Sequence, residues 1–469
     1  MTNHGVGPID IRIGLEAAAD FADIFDVKHG RHPSPSGGRL VAGGLHFSGS
    51  QAAELALLSV VPMPDHAVDG VLSWKVTLPA QGSWQVELTL RVGTVSPDDE
   101  LCPPPASTRA GGPDVGSLAR PRITWSDVRF EPLIEGSIAD LDSLLVREGE
   151  DRYFAAGTPW LLTLFGRDSL WSAMMTLPLG VEVAGETLRL LARNQGVRHD
   201  AGTEEAPGKI RHEVRHGPQV DRSDLPPRSF GTIDATPVFV TALERAWRWG
   251  LDQRSVQALL PHAERASAWM RDDGDPDGAG FLRYAAVGDH RLANQGWKDS
   301  EHGICFADGT LVAAPIARCE VQGYAYRAAM GGAAMVDAHA RPGGAEWRDW
   351  ASRLRDRFQS EFWVEDDAGG FPALALDGAG RQVDAVTSNV AHLLSTGILE
   401  PWQEERIAAR SHRPTWTLAG ACAGSAAAHH ASTHCPTTAG RCGRTTPPSR
   451  STDSPAWAPA ARPATCSTA

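Results

Sequence analysis

Two hydrophobic periods divide the chain. Between residues 37 and 94, short apolar runs alternate with Gly and Pro, as in LLSVVPM, GVLSWKVTL and SWQVELTLRVG. In the last of these Trp84, Val86, Leu88, Leu90 and Val92 take alternate positions, the period of a strand with one buried face, so an all-β unit is expected. Residues 96–121, rich in Pro, Gly, Ser and Asp, read as a loop or linker. From about Ser137 the period becomes helical, with segments near 138–148, 168–179, 182–195, 235–250, 254–271, 316–339, 344–362, 388–396 and 402–410. The order predicts a β-then-α multidomain chain whose paired helices carry functional groups on the loops at one end.

Charge and composition sharpen this. With 469 residues and a formal charge of −13, the chain has an ordinary acidic composition. The negative balance argues against nucleic acid or an anionic membrane as the main partner. No stretch has the length and apolarity of a membrane span, and the opening MTNHGVGPIDIRIG lacks the basic start and apolar run of a signal peptide, so a cytoplasmic protein is expected. Trp, at 15 residues, outnumbers both Phe (13) and Tyr (4). Its flat indole suits core packing and the apolar faces of sugar rings alike. Residues 411–469 differ from everything before them: they hold five Arg, one acidic residue (Asp453), four of the seven Cys and one branched aliphatic, Leu418. Their +4 leaves −17 on the first 410 residues, and their composition would ordinarily be called disordered.

Four clusters at loop-to-helix junctions carry the candidate chemistry. In WLLTLFGRDS (160–169), Asp168 or Ser169 would serve as an ordinary helix cap. Alternatively, Arg167 and Asp168 form a hydrogen-bonding fork for a polyol, with Trp160 or Phe165 as its apolar platform. SFGTIDATP places Asp234 ahead of a Pro-containing helix start. NQGWKDS sets Asp299 beside Trp297 and Lys298, with Glu320 following in ARCEVQGY. A carboxyl between an indole and an ammonium is pulled both ways, by desolvation toward its acid form and by the cation toward its ionised one, and a general acid must hold its proton. TSNVAH aligns Asn389 and His392 at a helix start, where His392 would otherwise be a hydrogen-bonded core histidine. DGDPDG (273–278) opens like a calcium loop, but its twelfth position is Tyr284, so an Asp/Gly turn is expected instead. Cys102, Cys305 and Cys319 lack zinc-ligand spacing, and no phosphate-binding Gly-rich loop is present. No cofactor or metal is implied.

In this order the clusters resemble the bacterial glycogen-debranching-enzyme-like family of amylo-α-1,6-glucosidase type. The strings are ADFADIFDVK (19–28), WLLTLFGRDS, PGKIRHEVRHG (207–217), FGTIDATP, NQGWKDS, FADGTLVAAPIARCEVQGYAY (306–326) and VDAVTSNVAHLLSTGI (383–398). The resemblance implies an N-terminal β-sandwich with its linker (1–136), then a catalytic (α/α)6 toroid, here incomplete (137–410). It implies Asp299 as the general acid and Arg167 and Asp168 as the hydroxyl-binding pair, with Asp234, Trp297, Lys298, Glu320, Asn389 and His392 lining a pocket for an α-glucan or oligosaccharide. Such enzymes invert configuration with a second carboxylate that activates water, roughly 6.5–9.5 Å from the acid. The rival readings are a non-catalytic carbohydrate-binding remnant and another (α/α)6 sugar enzyme, such as a trehalase or epimerase.

That second carboxylate belongs beyond residue 410, where the resemblance stops. If the codons of residues 431–449 are read two bases out of register, the permitted reading includes FNPLSYHCGSVWPHDTAI. Over residues 415–423 the same shift permits LDSGWGVR. Both look like the family's continuation, so a frameshift between about codons 408 and 414, with impaired activity, is expected.

Overall fold

The computed structural model describes residues 1–22, 34–41, 44–49, 54–68, 70–94, 118, 126–127, 129–158, 161–215, 226, 228–285, 292–367 and 369–411. The expected linker is largely outside this set, as are Cys102, Trp160 and the tail from residue 412. The N-terminal strands are β1 (Ile9–Glu16), β2 (Ala18–Ala19), β3 (Ser36–Gly37), β4 (Arg39–Val41), β5 (Gly44–Ser48), β6 (Glu54–Val61), β7 (His66–Val68), β8 (Val71–Leu78) and β9 (Glu87–Thr94). They form antiparallel sheets in the orders β1-β8-β7 and β4-β5-β6-β9, with β2 and β3 as a short ribbon. Strand β8 shows what joins the sheets. Its alternate residues Leu72, Trp74, Val76 and Leu78 are all buried, and they meet Leu45 and Phe47 of β5 and Ala56 and Val60 of β6 in one core. Two faces sharing a core make a β-sandwich. Trp84 and Val86 pack against that core as their alternation predicts, but Leu88 and Leu90 are 47% and 62% exposed. Both lie on β9, an edge strand among the described residues.

The helical part begins with α1 (Phe130–Ser143), earlier than the expected 138–148. Residues 145–148 instead form β10 (Leu145–Glu148), paired with β11 (Asp151–Phe154). Gly149, at φ +64°, turns the chain back between them, and the hairpin's pairing overrides the helical period. Then come α2 (Gly166–Met175), α3 (Glu182–Arg193), α4 (Ala235–Arg248), α5 (Gln253–Asp272), α6 (Cys319–Ala338), α7 (Gly344–Glu361) and α8 (Pro401–Ser411). Helix α4 packs between α2 and α6, and α3, α5 and α7 each pair with the helix before them. Burial separates the two layers. In α4 every residue from Ala235 to Glu244 is buried, whereas in α7 the buried residues are Gly344, Ala351, Leu354 and Phe358. A helix apolar all round belongs inside and one with a single apolar stripe outside. The pairs α4/α5 and α6/α7 are thus inner–outer hairpins, the unit of an (α/α)6 toroid, and α2/α3 form a third pair in which both helices are largely buried.

Where an α-helix was expected at 388–396, Ser388–Leu393 is a 3-10 helix packed against α6. Positive φ at Ser395 and Gly397 ends it, and Asn389 and His392 are drawn into side-chain hydrogen bonds. Among the described residues no helix is long and apolar enough to cross a membrane.

Candidate active site

The starts of α2, α4 and α6, the 294–300 loop and the 3-10 helix meet in one network of polar side chains. The cap reading of the first cluster does not describe it: the residue before α2 is Phe165, no side chain caps this helix, and Ser169 Oγ donates to Phe154 O at 2.6 Å. Arg167 is turned instead toward Asp234, with Nη1 3.4 Å from Oδ2 and Nη2 3.5 Å from Asp168 Oδ2. Asp234 precedes α4, but its Oδ1 accepts from Thr232 Oγ1 at 2.6 Å and its side chain caps nothing. Burial opposes the charge of Arg167, and the carboxylates of Asp234, Asp168 and Asp299 outweigh it, so its pKa rises. Burial likewise acts against the Asp234 carboxylate, but Arg167, Thr232 and Arg318 together hold its pKa below the usual value. Asp168 goes the other way, raised by burial despite Arg167.

A second buried pair lies beside the first. Arg318 Nε is 3.0 Å from Glu320 Oε1, with both side chains out of solvent contact. The separation is that of an ion pair, but none of the three guanidinium nitrogens has hydrogen-bond geometry to a partner among the described residues. Asn389 Nδ2 donates to the same Oε1 at 2.9 Å, and Thr387 Oγ1 donates to Asn389 Oδ1 at 2.9 Å. Gly296 completes the join: a Cβ there would lie 1.9 Å from Arg318 Nη1 and 3.4 Å from Asp234 Oδ2. The NQGWKDS loop therefore rests directly on the two ion pairs.

Above them lies an aromatic wall. The Trp297 and His392 rings are 5.2 Å apart, inclined at 33°, and Tyr324 OH and His392 Nδ1 share a 2.5 Å hydrogen bond. Trp171 stands edge-on to both Tyr324 and His392. Lys298 Nζ lies over the Trp297 ring, 4.9 Å from its centroid. Burial lowers the Lys298 pKa to about 8 and also lowers that of His392. Trp297 Nε1 is buried with no hydrogen-bond partner among the described residues. Asp299 is close enough to Arg167 and Asp168 for its charge to act on both.

The expected site residues thus converge, but in two tiers. Trp297, Lys298, Asp299 and His392 are partly accessible, and the Asp168 side chain is 38% exposed. Asp234, Glu320 and Asn389, expected to line a pocket, are at 0% exposure and out of reach of solvent. The sequence reading missed Arg318, Tyr324, Trp171 and His212. His212, fully buried and edge-on to Phe165, has a pKa held down to about 3, first by burial and then by the charge of Arg167. Arg318 carried a usable signal, since it stands immediately before a buried helix, much as Arg167 lies in the first turn of one. The DGDPDG segment is a turn in which Asp275 accepts from the backbone N–H groups of Ala279 and Gly280 and Asp277 pairs with Arg283.

No curated protein matches the chain. Solved structures similar to it include the GH78 family rhamnosidase of Bacillus sp. GL1 (TM-score 0.47, 11% identity, 81% of this chain) and the rhamnosidase from Klebsiella oxytoca with rhamnose bound (0.45, 12%, 88% of this chain and 82% of that one). The GH63 mannosylglycerate hydrolase from Thermus thermophilus in complex with Tris is another (0.44, 15%, 60% of this chain and 77% of that one). The chain spans 39% of the length of the Bacillus rhamnosidase. Residues 1–89 match the family described as the N-terminal domain of (some) glycogen debranching enzymes, and over that span the chain is similar to those proteins.

Proposed function

We propose that the chain is a glycoside hydrolase of glycogen-debranching type, whose pocket holds a terminal α-1,6-linked glucose of a branched α-glucan. The observation behind this reading is convergence: residues from five separate stretches of sequence, at 167–168, 234, 297–299, 320 and 389–392, meet in one network. In the proposed roles Arg167 and Asp168 bind sugar hydroxyls, Trp297 supplies an apolar platform and an N–H donor with no partner among the described residues, and Lys298 and His392 border the ring. Asp299 protonates the glycosidic oxygen as general acid, and water attacks the anomeric carbon from the opposite face of the ring. The buried Asp234–Arg167 and Glu320–Arg318 pairs fix the tier above without touching sugar.

The proposal includes the frame. The carboxylate that would activate water is taken to be encoded beyond residue 410 in the shifted reading, so this polypeptide binds isomaltose and turns it over poorly. Resequencing codons 405–420 tests the origin of the tail, and an unshifted gene with a matching protein mass would remove it. For the chemistry, a chain expressed with its frame corrected between codons 408 and 414 is expected to release glucose from branched dextrin. Asp299→Asn in that chain is expected to lose about 10²–10⁴-fold in kcat. Undiminished turnover in this variant would overturn the assignment.

A further inference from the structure

Two tryptophans away from the candidate active site, Trp347 and Trp350, pack one side against the helical core and stay partly accessible on the other. A cavity of about 260 Å³ opens between α5 and α7, its walls including Met270, Trp347, Asp349, Trp350 and Arg353. A second cavity, of about 350 Å³, shares Arg271, Glu346 and Trp347 with it, so the two form one furrow. The furrow is apart from the candidate active site. Ala329, its wall on α6, lies nine residues beyond Glu320, which is about 13 Å of helix at 1.5 Å per residue.

Its groups are held ready. The six-membered ring of Trp347 rests on Gly332, where a Cβ would stand 2.1 Å from Cζ3 and displace it. Trp350 follows one turn later on the same face. Asp349 and Arg353 stand four residues apart on α7, both exposed. Among the described residues neither forms an ion pair, although nearby Arg357 and Glu361, at the same spacing, pair at 2.8 Å. Two indoles packed against the core, beside an uncommitted carboxylate and an uncommitted guanidinium, match a carbohydrate. The rings cover its C–H faces, and the charged groups take vicinal hydroxyls by charge-assisted hydrogen bonds. The opposite charges balance, which suits a neutral ligand, and the furrow's continuity over two cavities suits a chain of sugars better than one.

We infer that this furrow is a second carbohydrate site, binding a linear run of α-linked glucose units away from the catalytic pocket. The sugar's identity rests on the α-glucan reading above; the site itself rests on the furrow's geometry. Calorimetric titration of the full chain with maltohexaose is expected to show two classes of site. Asp349→Ala combined with Arg353→Ala, both on exposed side chains, weakens one class by about tenfold, the loss of roughly one charge-assisted hydrogen bond. Trp350→Ala weakens the same class, and Asp168→Asn weakens the other. A single class removed by Asp168→Asn alone, unaltered binding in the Asp349/Arg353 variant, or no binding of maltohexaose would each overturn the inference. Because the readout is binding, a frame-corrected chain that fails to release glucose leaves the furrow standing, and hydrolysis without the second class of site overturns the furrow alone.

Discussion

The guanidinium of Arg318 fills the space that a side chain at Gly296 would need, 1.9 Å from the position of its Cβ. This contact joins the loop bearing Asp299 to the buried Asp234 and Glu320. Gly296→Ala would press a methyl group on a cation that has no room to move. The expected outcome is a loss of about 1–3 kcal/mol in urea unfolding, the usual range for overpacking, with isomaltose affinity falling as well.

The two aspartates on Arg167 should separate by burial. Asp234→Asn leaves Arg167, whose side chain is 10% exposed, without its main counter-charge, and breaking a buried pair in this way costs about 3–5 kcal/mol. Asp168→Asn, at a 38% exposed side chain, is expected to change stability by less than about 1 kcal/mol while weakening isomaltose binding. Denaturant titration of both variants, with calorimetry on the second, checks the division.

His212 makes the fold acid-sensitive. Its native pKa of about 3 lies below the ordinary histidine value of 6.5, so between those limits the unfolded chain takes up a proton that the native one refuses. Stability therefore falls as pH drops from 6.5 toward 3, by at most about 1.4 kcal/mol per pH unit from this group. His212→Gln is expected to flatten that limb, measured as the difference in urea midpoints between pH 7 and pH 4.5.

Lys298 sets a limit on the alkaline side. Its ammonium is lost from the native state near pH 8 and from the unfolded chain near 10.5. Its contribution to stability accordingly rises with pH across that window, because the unfolded state then holds the extra proton. Isomaltose affinity is expected to do the opposite and decline above pH 8 as the cation over Trp297 disappears. Lys298→Arg, which keeps its charge, should carry that decline beyond pH 10.

Much of this molecule could be read from residue order alone. Alternation in GVLSWKVTL and the apolar runs of α2 to α7 are local properties, and burial of one face of a strand or helix follows from them directly. The chemistry-bearing clusters were legible for the same reason, since loops ahead of apolar helices place polar groups at helix ends. Tertiary structure decided what periodicity leaves open. It turned residues 145–148 into a hairpin strand, because pairing with β11 outweighed the helical period. It made Asp234 and Arg167 buried partners where either residue alone resembles a helix-start or surface group. It also buried Asp234, Glu320 and Asn389 completely while leaving Trp297, Asp299 and His392 partly accessible. Burial of a polar group depends on which distant segments cover it and supply its counter-charges, and no local pattern carries that information.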